Sequence, residues 1–181
     1  MTGLREHNCM RTPLFIRAAQ MLKPCDVLLD IGCGIRPQNM VKCKRQIWVE
    51  PHGEYAAILE NAGYEVVARL ANQALDEIDV EVDTVMALDV IEHMEKDEGA
   101  EFIRRALNKA KKQVVVFTPF GFMPQEEDGE TDAWGMHGQE FQRHRSGWLP
   151  EEFEGWKCIT DMKFHNLKGA MYGAFFAVHT A

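Results

Sequence analysis

Close cysteine pairs are missing from this 181-residue chain: Cys9, Cys25, Cys33, Cys43 and Cys158 are five in number and lie far apart in sequence. Neither a zinc cluster nor a disulfide framework is therefore suggested. No metal ligand is expected, and a reducing, cytoplasmic setting fits. Long apolar runs are also missing. No stretch approaches the roughly 20 residues of a membrane span, and the N-terminal MTGLREHNCMRTP lacks the apolar core of a signal peptide. Basic charge is short, with 20 Lys plus Arg against 28 Asp plus Glu and a net charge of −8. Tight phosphate-backbone binding draws on basic residues that release counterions, and neither a basic stripe nor an aromatic-basic platform is present. No nucleic-acid partner and no membrane insertion are expected. Internal repeats are absent as well, and a chain of this length with 46% hydrophobic and 27% charged residues suits one domain over 1–181.

What is present is an alternation of helical and strand patterns. Thr12-Pro13-Leu14-Phe15 reads as a helix start, with Thr12 as N-cap and Pro13 at the first helical position. Lys23-Pro24 stops that helix. Val27–Ile31 follows as an apolar run of the kind found in strands buried on both faces, and similar runs occur at Gln46–Val49, Glu65–Ala68, Thr84–Leu88 and Gln113–Thr118. Asp97–Lys112 reads as an amphipathic helix, acidic at its start and basic at its end. Lys157–Phe164 and Ala174–His179 are joined by a connection too short for a crossover helix, so they should pair antiparallel. The expected fold class is α/β: a Rossmann-like, seven-stranded, mostly parallel sheet with an antiparallel C-terminal strand and helices on both faces.

The chemistry concentrates in VLLDIGCGIRPQNM, residues 27–40, where an apolar strand ends at Asp30 and is followed by Gly32-Cys33-Gly34. Missing side chains there let backbone N–H groups approach a ligand at the carboxyl end of the strand. The dinucleotide fingerprint would need a third glycine at 37, where Pro37 stands, so an NAD-linked or nucleotide-sugar oxidoreductase is the weaker alternative. Glu50 ends the second strand 20 residues after Asp30. Nucleotide-binding sheets place a carboxylate there to accept both ribose hydroxyls. The bland alternatives are a turn without a ligand and a solvated strand-end acid.

These residues, with DTVMALDVIEHM at 83–94, resemble the class I S-adenosylmethionine-dependent methyltransferases, from about Leu14 to the C-terminus. The resemblance implies S-adenosylmethionine as cofactor. It further implies that the backbone of Gly32 and Gly34 lines the methionine and ribose, with Cys33 between them as a small packing residue. Glu50 would hold the ribose hydroxyls, Asp30 would orient the amino-acid part, and Asp89 would sit beside the sulfonium. After strand three the family often has an Asp for the adenine amino group; this chain has Arg69-Leu70-Ala71-Asn72-Gln73, so Asn72 or Gln73 is expected to supply an amide oxygen instead. GCGIRPQ, VEPHGEY, FTPFGFMPQ and HRSGW are similar to segments of small stand-alone bacterial methyltransferases, some of them related to surface-glycan synthesis.

The acceptor side is expected in Gly121–Pro150, a long loop rich in Gly, acid, Trp and His. A hydroxyl acceptor must lose a proton, and a histidine is its natural recipient. His93, after the fourth strand, and His144, in HRSGW, are the catalytic candidates; His137 and His52 are weaker ones. Packing roles compete with each: His93 as a helix-start residue, Trp148 as an anchor of the loop, Arg143 and Arg145 as partners of the acidic run. That run, Glu126, Glu127, Asp128, Glu130 and Asp132, carries −5 of the net −8 and disfavours a polyanionic acceptor. The Asn/Asp-Pro-Pro-Tyr/Phe motif of base amino-methyltransferases is absent, since Asp89-Val90-Ile91-Glu92 stands in its place. The expected reaction is methyl transfer to a small-molecule or glycan-linked acceptor, at oxygen. The competing expectation is a non-catalytic S-adenosylmethionine-binding module or partner subunit.

Overall fold

The computed structural model describes residues 12–125, 131, 132 and 134–181. Its centre is a seven-stranded sheet of order β3-β2-β1-β4-β5-β7-β6, built from β1 (Cys25–Ile31), β2 (Cys43–Val49), β3 (Val66–Val67), β4 (Val82–Leu88), β5 (Ala110–Pro119), β6 (Lys157–Leu167) and β7 (Ala170–Thr180). β1 to β5 run parallel. β7 enters antiparallel between β5 and β6, as the short connection at 168 and 169 requires. Helices α1 (Pro13–Ala19), α2 (Gly53–Asn61), α3 (Ala71–Glu77) and α4 (Lys96–Lys109), with the short α5 (Gln139–Gln142), complete the chain. Among the described residues, no helix is long and apolar enough to cross a membrane.

Local chemistry explains the element ends. Thr12 Oγ1 accepts from the Phe15 N–H at 3.4 Å, and Pro13 opens α1. α4 stops at Lys109, earlier than its basic tail suggests, because Ala110–Lys112 already pair as β5 beside β4. The charge at its C-terminus is Lys109, which donates to the Ile78 carbonyl. On one sheet face α3 and α4 bury Ala74, Leu75, Phe102 and Ala106 against Leu29, Val85 and Val116. On the other, Leu14, Phe15 and Ala18 of α1 join Leu28, Met86, Val115 and Phe176. Cys25 and Cys43 are register partners on β1 and β2 and carry free thiols, as do Cys33 and Cys158; Cys9 lies outside the described residues.

Two topological facts position the site. The strand order reverses between β1 and β4, the switch point at which open α/β sheets leave a crevice at their carboxyl ends. Register then aligns those ends: Ile31 pairs with Val49 on one side and Ala87 on the other, so Gly32, Glu50 and Asp89 follow closely on three adjacent strands.

Candidate active site

A cavity of about 310 Å³ opens at that edge, lined by Gly32, Gly34, Glu50, Tyr55, Asp89 and Trp134 among others. Gly32 and Gly34 have φ of +65° and +57°, a left-handed geometry that side chains disfavour. A Cβ on Gly32 would lie 2.7 Å from Val90 Cγ2, and one on Gly34 would run into the Trp134 ring at 2.2 Å. The glycines are thus demanded twice, by backbone conformation and by close approach. The Gly32 N–H donates to the Val49 carbonyl at 2.7 Å and ties the turn to β2.

Glu50 is 4% exposed. Its Oε2 accepts from the Gly34 N–H at 2.8 Å and its Oε1 from the His52 N–H at 2.9 Å. Burial pushes the carboxyl up from its ordinary value while those two bonds oppose the rise. Asp30 is also buried and accepts from Gln46 Nε2 at 3.0 Å; burial drives it well above the ordinary carboxylate range. The Cys33 thiol is pushed far up by burial, then by Asp30 and Glu50. It stays protonated and acts as packing.

A second cavity of about 330 Å³ adjoins the first and shares Gly32, Asp89, His93 and Trp134 with it; Asp30, Arg36, His144 and His165 line its far side. Asp89 has φ +55° and donates its N–H to the Phe117 carbonyl at 2.9 Å. Enclosure, then the adjacent charge of Glu92, raises its carboxyl. Asp89 keeps solvent access through the cavities, whereas Glu92 is 1% exposed and burial pushes it up to about 7. Thr118 Oγ1 donates to Glu92 Oε2 at 3.0 Å, while Oε1 is buried without a hydrogen-bond partner.

His144 reaches this place because its segment is bolted to the turn after β4. The Arg145 and Ser146 N–H groups donate to the Glu92 carbonyl at 2.7 and 3.0 Å, and Ser146 Oγ and Trp148 Nε1 both donate to the Ile91 carbonyl. Trp148 is buried, and Lys96 Nζ sits 3.6 Å from its ring centroid. Trp148 is therefore the anchor of the loop, and Arg145 faces Glu95 at 3.9 Å. The His93 and His144 rings lie 5.0 Å apart. Burial lowers the pKa of both, His144 to about 4 with the help of His93's charge. One ring nitrogen from each and a Glu92 carboxylate oxygen lie within 4.8 Å of one another, close enough to hold a metal ion.

The two cavities thus bring together Asp30, Gly32, Cys33, Gly34, Glu50, Asp89, His93 and His144. Asn72 and Gln73 are not on the walls. Gln73 turns its amide back to accept from the Leu70 N–H at 3.4 Å, and Asn72 Oδ1 is buried without a partner. Leu70 and Ala71, the N-cap and first residue of α3, line the cavity in their stead. His137 points outward beside Glu54 and the His52 ring packs at a tilt against Tyr55, and neither lines the second cavity. Of the acidic run, Glu126, Glu127, Asp128 and Glu130 lie outside the described residues. Asp132 accepts from the N–H groups of Trp134, Met136 and Gly138 and from the Tyr55 hydroxyl, which holds Trp134 over the glycine turn. Glu92, His165 and Trp134's place on Gly34 escaped the sequence reading. Only Glu92 carried a signal, as the acid beside His93 in a short turn.

No protein-family model matches the chain, and no curated protein matches it by sequence. Solved structures do match it in fold. A SAM-dependent methyltransferase from Archaeoglobus fulgidus superposes with a TM-score of 0.58 at 16% identity, covering 91% of each chain. DhpI, in its complex with SAH, gives 0.57 at 13% identity over 92% of this chain and 82% of that one. The magnesium protoporphyrin IX methyltransferase of Synechocystis with bound SAM gives 0.51 at 14% identity, over 91% and 74%. This chain has the Rossmann-like fold of these methyltransferases.

Proposed function

We propose that this protein is an S-adenosylmethionine-dependent methyltransferase acting on an oxygen of a small-molecule or glycan-linked acceptor. The observation that carries the reading is Glu50: a buried carboxylate beside a two-glycine turn, at the switch point of a fold whose solved examples hold SAM or SAH. Charge supports it. Asp30, Glu50, Asp89, Glu98 and Glu140 face the cavities against Arg36 and Arg145, an excess that favours a ligand bearing cationic groups over a pyrophosphate. Connectivity argues the same way. The Gly32-Cys33-Gly34 turn leads into an irregular connection, 32–42, with no helix, so the helix N-terminus on which dinucleotide pyrophosphates rest is absent from this crossover.

Bound S-adenosylmethionine would supply a methyl group on a positively charged sulfur. Glu50 would accept both ribose hydroxyls through the lone pairs left free by Gly34 and His52, and Leu70 and Ala71 would flank the adenine. Asp30 would orient the amino-acid end and Asp89 would set a negative charge beside the sulfonium. The second cavity then fits the acceptor, and rate would come mainly from holding nucleophile and methyl carbon in line. His93 and His144 would receive the acceptor's proton at Nε2, since each Nδ1 faces a backbone carbonyl.

Calorimetry with S-adenosylhomocysteine and NAD tests the cofactor. Micromolar binding of the first with none of the second is expected, and the reverse would end the methyltransferase reading. Labelled S-adenosylmethionine with panels of sugar, small-hydroxyl and amine acceptors tests the reaction. Cofactor binding without transfer to any acceptor would favour the binding module.

A further inference from the structure

We propose that Glu92, His93 and His144 form a binding site for a first-row divalent transition cation at the boundary between the two cavities. Three independent features of the structure converge on it. First, the donor atoms lie within 4.8 Å of one another, from two segments locked together by the bonds of Arg145, Ser146 and Trp148 to residues 91 and 92. Second, both imidazoles are held in one tautomer. His93 Nδ1 lies 3.2 Å from the Arg143 carbonyl and His144 Nδ1 lies 2.7 Å from the Met123 carbonyl. A carbonyl only accepts, so each Nδ1 carries the proton and each Nε2 keeps its lone pair. Metal-bound histidines are characteristically oriented by such a bond from the other ring nitrogen. Third, Thr118 holds Glu92 Oε2, while Oε1 is buried outside any well-formed hydrogen bond and the Asp89 carboxyl lies against the same group. Two buried carboxyl groups in contact are costly to ionise, and a bound cation offsets that cost as a proton shared with Asp89 otherwise does.

Two imidazoles and one carboxylate suit manganese, iron, cobalt or zinc in the divalent state, whereas magnesium and calcium prefer all-oxygen sites. No cysteine contributes. Three protein ligands leave at least one coordination position, and His93 and His144 both line the second cavity, so that position is open to water or to an acceptor oxygen. With the ion in place the two imidazoles serve as ligands, and the ion itself lowers the pKa of the oxygen it holds.

The test uses the full chain, stripped with EDTA, in the absence of any nucleotide, so its outcome is independent of the methyltransferase reading. Titration with cobalt(II) is followed by visible absorption. One cobalt per chain is expected, displaced by zinc and without thiolate charge-transfer bands. His93→Gln and His144→Gln should each weaken binding at least about ten-fold, while His137→Ala, at an exposed site, should leave it unchanged. Zinc should raise the melting temperature of the wild type and not that of His144→Gln. Absence of cobalt binding, binding that survives both Gln substitutions combined, or a thiolate spectrum overturns the assignment.

Discussion

At Glu50 and Gly32 the energetics rest on single atoms. Glu50 is buried and each of its oxygens already takes one backbone N–H, so ribose hydroxyls would add to a charge-assisted network worth about 1.5–3 kcal/mol per bond. Glu50→Ala should weaken S-adenosylhomocysteine at least about 30-fold by calorimetry; unchanged affinity would remove Glu50 from the ribose site. Gly32→Ala should lower stability by about 1–3 kcal/mol in urea unfolding, from the left-handed backbone and the 2.7 Å approach to Val90. Adding Val90→Ala should recover the steric part and leave the conformational part. The positions of these residues were legible because they depend on what a strand end places in the crevice. Asn72 and Gln73 lie off the cavity walls because a side chain's direction at the start of α3 depends on helix phase, and Gln73's amide is taken up by the Leu70 N–H.

The element that decides the acceptor side is the 145–148 segment. Trp148 Nε1 donates to the Ile91 carbonyl at 3.2 Å and to Ser146 Oγ at 3.0 Å, and Ser146 Oγ donates to the same carbonyl. Trp148→Phe keeps the ring in the core and deletes the N–H. It should lower stability by about 1–2 kcal/mol and slow methyl transfer by letting His144 drift from His93, with cofactor affinity changed less than two-fold (about 0.4 kcal/mol). Equal losses in affinity and transfer would show that the segment supports the cofactor cavity instead. HRSGW could be recognised in the sequence as one unit, yet its docking on Ile91 and Glu92 could not, since 55 residues separate Ser146 from Ile91.

Across the whole molecule, buried acids and buried histidines make stability depend on pH in opposite directions. Asp30 and Glu50 are raised above 3.8 and 4.5, chiefly by burial, so folding takes up protons where they titrate. Their contribution is complete below those unfolded values and is lost as pH rises through the raised folded ones. The self-repulsion of a chain with net charge −8 acts in the same sense. The lowered histidines His93, His144 and His165 act in the opposite sense, costing stability as pH falls below their ordinary 6.5. Asp30→Asn should therefore raise the melting temperature of the ligand-free protein more at pH 8 than at pH 5, and His144→Gln more at pH 5 than at pH 8. An Asp30→Asn effect equal at the two pH values would mean that the Asp30 carboxyl is better solvated than its burial implies.

Strand periods, Thr12-Pro13, the Gly32-Cys33-Gly34 turn and the acids at strand ends follow from local steric and burial rules, so the sequence by itself determined the α/β class, the mostly parallel sheet and the strand edge at which the glycine turn lies. Helix ends and strand lengths depended on neighbours: β3 shrinks to two residues and Lys111 and Lys112 join β5. Only the tertiary structure decided that Trp134 covers Gly34, that Leu70 and Ala71 line the first cavity, and that Glu92, His93 and His144 meet. Such contacts join segments 50 or more residues apart, and their geometry is set by packing and hydrogen-bond satisfaction over the whole core, which no local pattern encodes.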